Sequence, residues 1–97
     1  MSAYVFFDVV EVTDQNKMQS YSRQIGATVE RYGGRYLVRG GKLDVVEGDW
    51  HPVFPVIIEF ASLEQAHQWY GSDEYKELIV LRSDAAKVNA VFLEGVK

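Results

Sequence analysis

A chain of 97 residues is one domain's worth, and at that length only about 60 to 65 % of the unfolded surface is buried, so the core is thin. A formal charge of −4 argues against nucleic acid as a partner, because binding to phosphate backbones grows with clustered Lys and Arg. Zero cysteines exclude disulfides, thiolate metal sites and a thiol nucleophile, while 47 % hydrophobic and 13 % aromatic residues leave apolar surface that self-association would cover.

The opening MSAYVFFDVVEV has no basic leader, and Asp8 and Glu11 interrupt its apolar run, so it does not read as a signal peptide. No stretch approaches the roughly 18 apolar residues a membrane span needs. A soluble, cytoplasmic protein without membrane contact is expected. Residues 4–12 carry apolar side chains at both parities, Val5, Phe7 and Val9 on one side and Tyr4, Phe6, Val10 and Val12 on the other, which predicts a strand covered on both faces. Asp8 falls on the second side, where an ionised carboxylate must be paired or wet.

Thr13 and Asp14 are N-cap candidates for a helix whose buried stripe is Met18, Tyr21, Ile25, Val29 and Tyr32, and Gly33-Gly34 stops it. Gly26 inside that helix marks either close packing or a weak spot. Residues 35–39 alternate as a strand ended by Gly40-Gly41, residues 42–47 have the pattern of a short return strand, and residues 54–60 form a central Val/Ile/Phe strand with Pro55 near its start. Ser62-Leu63-Glu64-Gln65 has the form of a capping box, with Ala66, Trp69 and Tyr70 on the buried side of a short helix. Gly71 ends that helix and Ser72 caps a second helical piece with Tyr75, Leu78, Ile79 and Arg82 at helical spacing, and residues 88–94 close the chain as a strand.

Strand, helix, strand, strand, helix, strand with right-handed crossovers gives an α+β, ferredoxin-like βαββαβ domain, residues 1–97, with a four-stranded antiparallel sheet and its helices on one face. Helices can shield only that face. The apolar residues on the other predict a sheet-to-sheet homodimer.

The segments GGRYLVRGG (33–41), EGDWHP (47–52), IIEFAS (57–62) and WYGSDEY (69–75), with Arg82 beyond, resemble the DUF1330 family, small proteins without an assigned activity placed in the dimeric α+β barrel superfamily. The likeness spans essentially the whole chain and implies a ferredoxin-like protomer and a homodimer. Tyr36, Arg39, Gly40, Gly41, Gly48, Glu59, Phe60, Ser62, Trp69, Tyr70, Tyr75 and Arg82 fall on its pattern. The chain departs from it where Val53, Phe54 and Pro55 replace a basic lead-in to the third strand, and where Ala61 replaces a proline.

Among candidate site residues, Arg39 and Glu59 on separate strands are placed to meet, either as an anion anchor with its orienting carboxylate or as a structural ion pair. His51, on a loop between Trp50 and Pro52, is the candidate base for a neutral-pH proton transfer, or else an exposed loop histidine. Asp8, Tyr21, Trp69 and Tyr70 are candidate ligand contacts, although aromatic stripes on helices more often build core. Arg82 reads as a surface or interface charge. Two distant histidines without an acidic pattern do not make a metal site, no motif calls for a cofactor, and the glycine pairs read as turns. Two readings stand: a cofactor-independent enzyme of isomerase, lyase or monooxygenase type acting on a small organic molecule, or a non-catalytic dimeric binding or interaction module.

Overall fold

The structure is a computed structural model and describes residues 1–96. Its elements are β1 (Ala3–Val12), α1 (Gln15–Arg31), β2 (Arg35–Arg39), β3 (Pro55–Phe60), α2 (Leu63–Tyr70), α3 (Asp73–Ala85) and β4 (Ala86–Glu94). The four strands form one sheet in the order β2-β3-β1-β4, every neighbour antiparallel, which is the ferredoxin-like arrangement.

Local sequence fixes most of the boundaries. The Asp14 carboxylate accepts the Lys17 N–H and starts α1. At its far end Gly34 N–H reaches the Val29 carbonyl and Gly33 N–H that of Glu30, a Schellman closure that needs the left-handed backbone Gly33 adopts at φ +78°. The second helix is two pieces, as the Gly71-Ser72 punctuation predicts: Ser72 closes on the Trp69 carbonyl and caps α3 through the Tyr75 N–H.

One face of the sheet is buried and the other is open. Ala3, Val5 and Phe7 of β1 and Ile58 and Phe60 of β3 meet Tyr21, Ile25 and Val29 of α1, Trp69 of α2 and Tyr75 and Leu78 of α3. Trp69, wholly buried, stacks near Phe60 (5.3 Å) and Tyr75 (4.2 Å), and its indole N–H donates to Thr28 Oγ1 at 3.0 Å. On the open face Phe6 lies between Ile57 and Val91, and Tyr4 between Glu59 and Leu93. Val91 and Leu93 are each 53 % exposed, so no element of the protomer shields this face at its β4 edge.

Two expectations give way. Residues 42–47 form no strand: Gly40 N–H bonds the Pro55 carbonyl, holding the chain against β3, and residues 40–54 then leave the sheet as one long loop. The strands also slip. The β2/β3 register shifts between Tyr36 and Val38, so two residues of β2 span one of β3. Tyr36 pairs with Ile58 and Arg39 with Val56, so a residue that strict alternation places with Arg35 and Glu59 is carried to the helix-covered side.

Gly26 touches nothing that an added methyl group would strike, with no atom within 4 Å of where a β-carbon would stand, so it is a weak spot and not a close contact. Gly26→Ala is expected to stabilise the fold by about 0.5–1 kcal/mol through reduced backbone entropy of the unfolded chain. Urea unfolding followed by circular dichroism reads this as a higher midpoint at unchanged slope.

Candidate functional site

Between α1 and the sheet, at the end away from Trp69, the layers do not fill the space between them. A cavity of about 130 Å³ remains, floored by Phe7, Val9, Val56 and Val88 of the strands and roofed by Met18, Tyr21, Ser22 and Ile25 of α1. Tyr36, Arg39, Phe54 and Arg82 complete its wall. That volume is near the roughly 150 Å³ known to accommodate one benzene ring, and well below the 300 Å³ or more of sites for drug-sized ligands.

The polar groups of this cavity come from three elements. Tyr21 Oη of α1 lies 2.7 Å from Tyr75 Oη of α3, and Arg82 Nη1, two turns beyond Tyr75, donates to the same phenol at 3.0 Å. The Arg82 guanidinium also sits 5.3 Å from the Phe7 ring centre. Arg39, reaching in from β2 by way of the register shift, lies 4.0 Å over the Tyr36 ring. Burial raises the Tyr21, Tyr36 and Tyr75 phenols above their usual range, so all three stay protonated at neutral pH. Burial works against the charge on Arg82, but the phenols of Tyr75, Tyr21 and Tyr70 outweigh it, and the guanidinium remains cationic.

Arg39 and Glu59 do not meet. Glu59 is on the open face, where Arg35 Nε donates to it at 2.7 Å and holds its carboxyl below the usual carboxylate range. The ion pair expected between β2 and β3 exists, with Arg35, directly opposite Glu59 in the ladder, in place of Arg39. His51 is exposed on the 40–54 loop and lies outside the cavity wall, so it faces neither Arg39 nor Tyr21. Trp69 is core. Tyr70 packs between Tyr75 and Phe92, each ring 5.5 Å away, with its phenol near Arg82, but it is not part of the cavity wall. Of the residues expected from sequence to act on or touch a ligand, Tyr21 and Arg39 line the cavity, and Tyr36 and Arg82 of the family pattern join them.

Asp8 has another task. It is buried at 4 % exposure on the otherwise open face, and its Oδ1 accepts the N–H groups of Val53 and Phe54, each at 2.9 Å. Two backbone donors satisfy a carboxylate that burial would otherwise penalise. Together with the Val9 N–H bond to the Phe54 carbonyl, they tie the end of the long loop to β1 and fix Phe54 at the cavity. Gly40, at φ +66°, lets Phe54 in: a β-carbon there would come within 2.5 Å of the ring.

Charge alone suggests a surface position for Arg82, yet it is only 9 % exposed. The signal that places it inside is its position on the stripe of Tyr75 and Leu78, which faces inward. Among the described residues no group of three or more potential ligands gathers for a metal ion, and no helix is long and apolar enough to cross a membrane.

Asp8→Ala should loosen the loop at a loss of about 1–3 kcal/mol, since it orphans two backbone donors. Limited trypsinolysis would show faster cutting after Lys42 than in the wild-type chain. The raised phenols set a second expectation. An acid group whose folded pKa exceeds its unfolded value supports the fold fully below the unfolded value, about 10, and that support is lost as pH rises toward the folded one. Melting temperature should hold to about pH 9.5 and fall above about pH 10. Tyr75→Phe should make that fall shallower.

Comparison with known proteins agrees with the architecture. The sequence matches over residues 2–96 the model of a family described as a domain of unknown function, DUF1330. No curated protein matches it. Among solved structures, RPA0582, a protein of unknown function from Rhodopseudomonas palustris, aligns at a TM-score of 0.77 and 19 % identity over 99 % of this chain and 83 % of that one. SnoaB, a cofactor-independent oxygenase from Streptomyces nogalater, aligns at 0.61 and 10 % identity over 99 % and 92 %. A dimeric protein of unknown function with a ferredoxin-like fold from Bacteroides fragilis NCTC 9343 aligns at 0.61 and 11 % over 97 % and 96 %. At such identities the likeness is one of fold. The family model spans nearly the whole chain, and the chain belongs to the DUF1330 family.

Proposed function

We propose that this protein is a homodimer, joined through the open faces of its sheets, that binds a small organic molecule in the cavity between α1 and the sheet. The observation that carries the binding is the cavity itself, an apolar space of about 130 Å³ into which Tyr21, Arg39 and Arg82 converge from three different elements. A packed interior there would have favoured a purely structural module. The dimer is supported by half-exposed Val91 and Leu93 beside Phe6 and Ile57, and by the dimeric state of the Bacteroides fragilis neighbour.

Catalysis without a cofactor, of isomerase, lyase or oxygenase type, is a second reading. The hydrogen-bonded chain from Tyr21 through Tyr75 to Arg82 favours it, because such donors stabilise negative charge developing on a bound molecule. The oxygenase chemistry of SnoaB supports it only by analogy of fold. Among the described residues no carboxylate or imidazole lines the cavity, so proton abstraction by His51 is not part of this reading. The protein's residues would position the molecule and hold its charge.

The two halves of the proposal are tested separately. Leu93→Glu together with Val91→Lys should convert a dimer to a folded monomer in sedimentation at micromolar concentration, and a wild-type chain that sediments as a monomer overturns the assembly. For binding, a set of fragments of about ten heavy atoms or fewer, a size set by the cavity, is screened by ligand-observed NMR. Hits should vanish in Val88→Phe, which fills the space. Hits that survive the filling place the site elsewhere.

A further inference from the structure

We infer that the molecule this cavity takes is a small monocarboxylate with an apolar body about the size of one six-membered ring, its carboxylate anchored on the buried Arg82 with Arg39 at the mouth. The inference rests on the reading that the cavity binds a small organic molecule, and it names the chemical class.

Charge accounting is the starting point. The ion pairs of the described residues join Lys17 to Asp84, Arg31 to Glu74, Arg35 to Glu59, Lys76 to Asp73 and Lys87 to Glu11. Arg39 and Arg82 are in none of them, and both line this one cavity, which holds no acidic side chain. For an exposed arginine such as Arg39 that is ordinary. Arg82, more than nine-tenths buried, is different, because a desolvated cation without a counter-ion is unfavourable and apolar residues of similar volume usually replace one without loss.

Its donors point to the missing partner. Arg82 Nη1 donates to Tyr75, yet no buried side-chain nitrogen or oxygen among the described residues lacks a hydrogen-bond partner. The other polar neighbours of Arg82 are the uncharged phenols of Tyr70 and Tyr21, so the guanidinium nitrogens at the cavity wall meet no negative charge from the described residues. A carboxylate suits them, since the guanidinium fork matches its two oxygens and the bonds are charge-assisted. The neighbouring phenols add a directed donor. With Arg82 donating to Tyr75 Oη, Tyr75 can donate its O–H to Tyr21 Oη, which leaves the Tyr21 O–H free for an acceptor in the cavity.

The rest of the wall fixes the body of the ligand. Phe7, Val9, Met18, Ile25, Phe54, Val56 and Val88 make most of it apolar, with hydroxyls only from Ser22 and Tyr36, so the part away from the carboxylate is mainly hydrocarbon. The volume limits it to about one ring or an equivalent short chain. A second carboxylate would have only Arg39 to meet it, and Arg39 stands at the exposed end over Tyr36. There it attracts the anion as it enters.

The experiment uses the wild-type protein and two variants, with benzoate and its uncharged counterpart benzyl alcohol as probes, titrated by calorimetry. Benzoate should bind the wild type at least about tenfold more tightly than benzyl alcohol, and Arg82→Met should weaken benzoate by about 10- to 100-fold but benzyl alcohol by no more than about threefold. Arg39→Met, at an exposed position, should weaken benzoate by about threefold. Arg82→Met should also melt no lower than the wild type, which a structural role for Arg82 would contradict. Equal affinity for the two probes overturns the carboxylate assignment and leaves the cavity reading standing. Failure of both probes to bind at millimolar concentration, or retention of benzoate affinity in Arg82→Met, overturns the inference; the first of these also removes the cavity as a binding site.

Discussion

Trp69 sets the distance between helices and sheet. It is the largest side chain in the layer, fully buried and tied through its indole N–H to Thr28 of α1, with Phe60 and Tyr75 against its faces. Helices are nearly rigid, so a spacing imposed at one end of α1 persists at the other. At that other end the floor directly beneath α1 is made largely of the short Val9, Val56 and Val88, while the longer Phe7, Met18, Tyr21, Tyr36 and Phe54 stand around the rim of the gap and leave its centre open. The cavity follows from this taper of side-chain size along a layer of fixed thickness. Its polar groups follow from what else reaches into the gap: a guanidinium two turns along α3 and another delivered by a slipped strand.

The protomer solves its burial problem on one side only. Three helical pieces on one face leave Tyr4, Phe6, Ile57, Val91 and Leu93 on the other, with Arg35 and Glu59 as an ion pair between β2 and β3. The 40–54 loop shelters one corner of that face, setting Trp50 5.8 Å from the Phe6 ring and Val53 and Phe54 against Asp8. The same loop also reaches the helix-covered side, because Phe54 passes Gly40 to become part of the cavity wall. A single carboxylate on the open face thus holds in place a residue that shapes the site on the closed face.

The order of elements is legible in the sequence because each carries its own period and its own stop: the α1 stripe ended by Gly33, the Ser62 and Ser72 caps, the Val/Ile run of β3. Those signals are local. What parity cannot show is the register shift after Tyr36, which depends on how β2 and β3 settle against each other, and it reverses the side on which Arg39 lies. The pairing of Arg39 with Glu59 fails for that reason alone. The return strand at residues 42–47 fails because alternation of Leu43 and Val45 is not enough where Gly40 remains bonded to Pro55 and no neighbouring strand takes the segment up. His51 stands out for its chemistry, but a loop position says nothing of direction, and the loop turns it to solvent.

Arg82 shows the opposite error, a functional candidate discounted because charge is usually external. Its spacing from Tyr75 and Leu78 places it on the inward stripe, and an inward arginine must be compensated by something. Within the protomer the phenols of Tyr75, Tyr21 and Tyr70 keep the guanidinium cationic, and a phenol is a poor substitute for a carboxylate because it carries no charge at neutral pH. Methionine at the same position would pack against Phe7 and leave no charge to be compensated. Retaining the guanidinium therefore makes physical sense if an anion completes the site, and the apolar floor beneath it restricts that anion to one with a hydrocarbon body.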